Sequence, residues 1–301
     1  MNYYFAYQQV IASTKQIPSL LETSKKDAKI YIEESKIDLS QKKTTKMYRM
    51  GVNADYFGES NKACLDWKNM VSFEAIGGEK LLVDSKITNQ KVLDLFLLHE
   101  ALGMILFQQG LFVLHSSAVK ISDNRAIAFI GRSGAGKSTT AAAFAQAGYP
   151  ILNDEILAIR FDEQGKPFVL PAFPLLRILE NSVKGLNLDE EVSPLYQNSS
   201  KFAYLQTKES FPTEPIPLTD IFILQKPNSK FHNISVPPGR FAIELLRHFP
   251  LPPQMLFGKP LAKHFQDCLN LTKHISLKKI RRPRDFAALQ KFVQEVVAEK
   301  Q

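Results

Sequence analysis

The chain has 301 residues, 45% of them hydrophobic, which is enough to fill one large core or two modest ones and excludes a disordered tail or a coiled coil. A net charge of +8 and a pI near 9.3 leave an anionic partner open, but no nucleic-acid motif or aromatic stacking pattern accompanies the charge, so nucleic acid is not expected. Cys64 and Cys268 belong to no CxxC or Cys/His cluster, which argues against structural zinc and fits a reducing cytoplasm.

The opening MNYYFAYQQV lacks the charged and long apolar regions of a secretory signal. Up to about Gln90, alternating or β-branched runs at Tyr3–Val10, Lys29–Glu33, Lys46–Val52, Val71–Ile76 and Lys80–Ile87 predict a small β-rich domain over residues 1–90. The apolar stretch Val92–Val113 contains Asp94, His99 and Glu100, polar groups that are costly in lipid, so a buried helix over Asn89–Gln109 is expected and no membrane span. That helix is assigned, as a linker, to a second domain over 91–301.

Next come a strand at Leu111–Val119, a turn at Ser122–Arg125, a strand at Ala126–Ile130, a glycine loop, a helix to Ala147 and a strand at Ile151–Phe161. A further strand follows at Phe168–Leu170. Two hairpin-like pairs around one helix predict an α/β fold with a mixed sheet. Later expectations are a Pro-bounded stretch at Phe173–Leu179, a polar region at Glu180–Ser200, strands near Lys201–Gln206, Leu218–Leu224 and Lys273–Ile280, and helices at Gly239–His248, Leu261–Leu271 and Pro283–Lys300.

The glycine loop, Gly131-Arg132-Ser133-Gly134-Ala135-Gly136-Lys137-Ser138-Thr139, is a complete GxxxxGK[ST] between a strand and a helix. In that setting backbone N–H groups meet phosphate oxygens at a helix N-terminus, Lys137 reaches the β- and γ-phosphates, and the Ser138 hydroxyl is a Mg²⁺ ligand. An empty glycine turn is the bland alternative. Asp154 and Glu155 follow Lys137 after only one helix and the start of one strand. One carboxylate to orient or deprotonate a hydroxyl and another group to hold Mg²⁺ is what phosphoryl transfer calls for. Against this, strand neighbours point to opposite faces unless the chain bends, as at Asn153, and an acidic turn is the alternative. His115, in VLHSSAV, reads by itself as a hydrogen-bonded core histidine.

These stretches, LHSSAV at Leu114–Val119, GRSGAGKS at Gly131–Ser138, AGYP at Ala147–Pro150 and NDE at Asn153–Glu155, resemble the kinase domain of HPr kinase/phosphorylase, whose fold is similar to phosphoenolpyruvate carboxykinase. The resemblance covers about Leu111–Arg160. It implies that Asp154 is the catalytic acid/base, Glu155 the second acid and a metal ligand, Lys137 and Ser138 phosphate and metal ligands, and His115 an active-site histidine. ATP and Mg²⁺ are the implied cofactors. The family's second Asp is Glu here, and PAFPLLRI at Pro171–Ile178 stands where a glycine-rich signature belongs, which places reverse phosphorolysis and the carrier protein HPr in doubt as activity and substrate.

The layout, with Tyr3–Tyr7 opening a β-domain and Pro174–Arg177 as a late P-x-x-R, is similar to HPr-kinase-related proteins of bacterial peptide biosynthesis clusters, among them kinases of lasso-peptide precursors. That implies a peptide or protein partner phosphorylated on serine. A small-molecule kinase and a non-catalytic nucleotide-binding module stay open; an ABC-type motor does not fit, since no LSGGQ-like signature is present. Arg177 and Lys201 are candidate phosphate neutralisers. Lys273–Arg284, with six Lys/Arg and no acid, reads as a solvated basic face in preference to a wall of the nucleotide or peptide path. The oligomeric state is left open, a homo-oligomer included.

Overall fold

The computed structural model describes residues 1–40, 44–49, 51–189, 192–194, 201–205, 211–225 and 234–298, with the side chains of residues 201 and 205 outside that set. Parts of the polar region Glu180–Ser200 and the last residues of the expected terminal helix therefore lie outside the described residues. The chain divides into two units: residues 1–113 with 250–264, and 114–249 with 265–301.

In the first unit, described strands β1 (Asn2–Ala6), β2 (Gln9–Ser13), β3 (Leu21–Glu22), β4 (Ile30–Glu34), β5 (Thr45–Arg49), β6 (Val52–Glu59), β7 (Lys62–Trp67), β8 (Val71–Ile76) and β9 (Lys80–Ser85) form a nine-stranded sheet in the order β3-β1-β2-β4-β9-β8-β7-β6-β5. The run Tyr3–Val10, expected as one strand, is a hairpin. Tyr7 and Gln8 both take positive φ (53° and 60°), the pair of left-handed residues that a two-residue type I′ turn requires. β6 and β7 went unread because their polar residues interrupt the alternation.

Helices α1 (Gln90–Phe96) and α2 (Leu102–Gln108) are joined by a π-helical turn at Leu97–Ala101, so the expected single helix carries one wide turn. Gln108 and Gln109 fasten its end to the sheet: Gln108 Nε2 donates to Ala75 O (3.0 Å) and Gln109 Nε2 to Gly78 O (2.7 Å). These bonds and the edge-on packing of Phe96 on Trp67 place the helix with the first unit, so the division falls after Val113 and not at residue 90.

The second unit is built on β10 (Phe112–Ser122), β11 (Arg125–Ile130), α3 (Lys137–Gln146), β12 (Ile151–Phe161), β13 (Pro167–Leu170), β14 (Leu175–Leu179), α4 (Glu180–Gly185), β15 (Val192–Pro194), β16 (Lys201–Leu205), β17 (Ile216–Gln225), β18 (Ile234–Ser235), α5 (Phe241–Leu246), α6 (Lys259–His274), β19 (Ser276–Arg281) and α7 (Phe286–Ala298). β10–β11 and β12–β13 are antiparallel pairs, whereas β11, β17 and β19 run parallel, which makes the sheet mixed as expected. The fold is thus mixed α/β with a β-rich N-terminal unit. Among the described residues no helix is long and apolar enough to cross a membrane.

The core beneath the glycine loop explains the Ala-rich helix. Ala141, Ala142, Ala143 and Phe144 of α3 are buried with Phe129, Ile178, Leu289 and Val293, and Phe144 meets Phe129 at 5.2 Å between ring centroids. Small side chains let α3 lie close to the sheet while Phe144 fills the remaining volume.

Candidate active site

The glycine loop joins the carboxyl end of β11 to α3 as the sequence predicts. Gly136 caps α3 in the left-handed conformation (φ 92°), and a Cβ added at Gly131 would stand 3.0 Å from Leu224 O, so the loop needs glycine at both places. Arg132, Ser133 and Gly134 are exposed, whereas Ala135 is anchored in the core. Lys137 is buried and donates to Gly131 O at 3.2 Å, closing the loop on itself. Burial pushes its ammonium pKa down, and the charges of Glu155 and Asp154 pull it back up. Thr139 sets its hydroxyl 2.8 Å from Ser182 of α4, so its contribution to a phosphate cradle is its backbone N–H.

Asp154 is the centre of the site. Its Oδ1 accepts from Ser117 Oγ at 2.6 Å and from Ser138 Oγ at 3.1 Å, and its Oδ2 accepts from the Arg177 backbone N–H at 3.0 Å. Strand β10, the loop, β12 and β14 therefore meet at one carboxylate. Burial raises the Asp154 pKa most, the Glu155 charge raises it further, and Arg177 and the Ser117 bond oppose both. The result is a proton acceptor stronger than an ordinary aspartate.

Glu155 answers the objection that adjacent strand residues diverge. Its φ of 75° breaks the β alternation, so the bend lies at Glu155 and not at Asn153. The Glu155 carboxylate ion-pairs with the Arg177 guanidinium and stands 3.2 Å from His115 Nδ1. Asn153 remains in the strand, buried, with Nδ2 donating to Ser116 O at 3.0 Å. Asp154 and Glu155 are thus both tied to Arg177, one by its backbone and one by its side chain.

The remaining expected residues separate. Arg177 is engaged with Glu155, so its charge neutralises that carboxylate. Lys201 begins β16, and its side chain lies outside the described residues. Among the described residues no three His, Cys, Asp or Glu side chains converge on a metal position. A nucleotide-bound Mg²⁺ asks for less, one or two protein oxygens with phosphates and water supplying the rest, and the hard oxygens of Ser138 and Glu155 fit it.

Three participants were missed. Ser117 sits inside LHSSAV and could have been found by asking what holds the Asp154 carboxyl. His248, whose carbonyl accepts from the His115 N–H at 2.7 Å, has a pKa pushed down to about 4 by burial and by the Lys137 charge; nothing local in the sequence marks it. Arg282 lies against Gly136, hidden in the basic run read as a solvated face.

No protein-family model matches the chain. No curated protein does either. The solved Hpr(Ser) kinase/phosphatase of Coxiella burnetii is similar over 62% of this chain and 93% of that one, at 12% identity and a TM-score of 0.33. A likeness of that size transfers no residue role, and the site has to be read from its own geometry.

Proposed function

We propose that this chain is an ATP-dependent kinase that transfers the γ-phosphoryl group to a serine hydroxyl. The observation that carries this reading is the hydrogen bond from Ser138 of the glycine loop to the buried Asp154. It joins a phosphate cradle to a proton acceptor within one side-chain contact.

The backbone of Gly131–Thr139 and the Lys137 ammonium hold the phosphates. Asp154 takes the proton from the acceptor hydroxyl as its oxygen bonds to the γ-phosphorus. The bond from that phosphorus to the β,γ-bridging oxygen breaks, and ADP leaves with the electron pair. Ser117 and the Arg177 backbone fix the Asp154 carboxyl, while Arg177 and His115 fix Glu155. Ser138 and Glu155 would hold Mg²⁺, whose charge would neutralise the phosphates when bound.

The acceptor we favour is a peptide, namely the C-terminal serine of a ribosomally made lasso-type precursor. Supporting this is the separate β-rich unit, in whose sheet β3 and β5 are the edge strands among the described residues, the kind of edge to which an extended segment can add. The test is ADP production with serine-ended precursor peptides against free serine, together with mass spectrometry of the product. Phosphoserine on the peptide is expected, and turnover of free serine alone would remove the peptide from the reading. Asp154→Asn should lower kcat by about 10²–10⁴-fold, the span ordinarily lost with a general base; a fully active variant sinks the base assignment.

A further inference from the structure

We infer that Arg282 is a phosphate ligand of the bound nucleotide, a second cationic contact beside Lys137 and the backbone of the glycine loop; this rests on the nucleotide-binding reading above. Arg282 follows β19 directly. β11, β17 and β19 are parallel neighbours, with Ile130 paired to Ile223 and Gln225 paired to Arg281, so the residue after β19 emerges at the carboxyl end from which the glycine loop also leaves β11. Ligands of α/β sheets bind outside that end.

The side chain then lies on the loop itself. A Cβ built on Gly136 would stand 2.6 Å from Arg282 Nε, 2.9 Å from Cζ and 3.1 Å from Cδ, so the glycine is what allows the guanidinium to rest there. Nε and Nη1 are sealed from solvent and meet no hydrogen-bond acceptor among the described residues. A guanidinium cannot escape this by losing its proton, because it remains charged throughout the physiological range. Buried donors without acceptors are a standing cost that an anion relieves. The anion for which the adjoining loop is shaped is a polyphosphate, and guanidinium is the group best suited to phosphate oxygens.

A basic side chain on a solvated face would show none of this. The contrast lies in the same run: Lys279 Nζ is 2.6 Å from Glu244 Oε1, a protein-internal pair that needs no ligand. Arg282 acts on the donor side, since its neighbour Gly136 belongs to the part of the loop that holds the α- and β-phosphates.

The experiment is calorimetric titration of the full chain with MgADP, MgATP and pyrophosphate, for the natural protein, Arg282→Gln and Arg282→Lys, with thermal melts in the absence of nucleotide. Expected are a dissociation constant raised about ten-fold or more for all three ligands in R282Q, partial recovery in R282K, and nucleotide-free melting no lower than that of the natural protein. Unchanged dissociation constants in R282Q overturn the inference, as does a lowered nucleotide-free melt with unchanged affinity, which would make Arg282 a structural residue. A penalty for ADP without one for pyrophosphate also overturns it, by moving the contact to the nucleoside. If the natural protein binds none of the three, the nucleotide reading itself fails; if it binds and R282Q matches it, only Arg282 is lost. Should R282Q not fold, R282K decides: affinity equal to the natural protein's counts against the guanidinium fork.

Discussion

The chemistry of the site turns on how two neighbouring carboxylates are made different. Asp154 is buried and accepts from Ser117, Ser138 and the Arg177 backbone, while Glu155 is more open and paired with Arg177 and His115. Because the Glu155 charge is the second-largest cause holding the Asp154 pKa up, Glu155→Gln should lower that pKa. With deprotonated Asp154 as the proposed base, the acid limb of the normalised kcat–pH profile is expected to shift to lower pH in E155Q; an upward shift would contradict the electrostatic account. His248 gives a separate stability test. Its pKa is about 4 in the folded chain against an ordinary histidine value of 6.5, so between those values the unfolded chain takes up a proton that the folded one refuses. Its contribution is fully present above pH 6.5 and is lost as pH falls toward 4, an effect of roughly 3 kcal/mol. Chemical denaturation of His248→Gln should therefore show a shallower fall across that window than the natural protein.

Elements explain why those residues meet. The motif between β11 and α3 was legible because it needs only local conformation: an apolar strand, glycines and a helix of small residues. β12 was legible in extent, but not in its left-handed residue, since glutamate at φ 75° is disfavoured locally and is held there by its salt bridge with Arg177 and its contact with His115. The β1–β2 turn was missed for the same reason, as Tyr7 and Gln8 are not the residues a type I′ turn advertises. Arg282 and His248 approach the loop through tertiary pairing alone, and no spacing along the chain predicts that. Packing of α3 has its own measure. Phe144 is fully buried between α3 and the sheet, so Phe144→Ala should cost about 3–5 kcal/mol in urea unfolding, displacing the loop that leads into α3.

At the scale of the molecule, the mixed sheet and the β-rich first unit followed from alternation and from hairpin signals, whereas the assignment of Leu93–Leu106 and of residues 250–264 depended on contacts between distant segments. A peptide that pairs with an edge strand is also testable at this scale. N-methylating alternate backbone nitrogens of the substrate in one register should raise KM about ten-fold, with little change in the other register, while ATP affinity stays constant. Equal effects in both registers would argue against strand pairing. The return of residues 250–264 to the first unit has a genetic consequence. The chain crosses between units after Val113, Phe249 and His264, so a single recombination event cannot exchange the β-rich unit as a cassette. A descendant that replaced only residues 1–113 would inherit Leu251 and Met255, both buried here, without the rest of the compact unit to which they belong. An exchange of the β-rich unit would therefore have to carry residues 1–113 and 250–264 together.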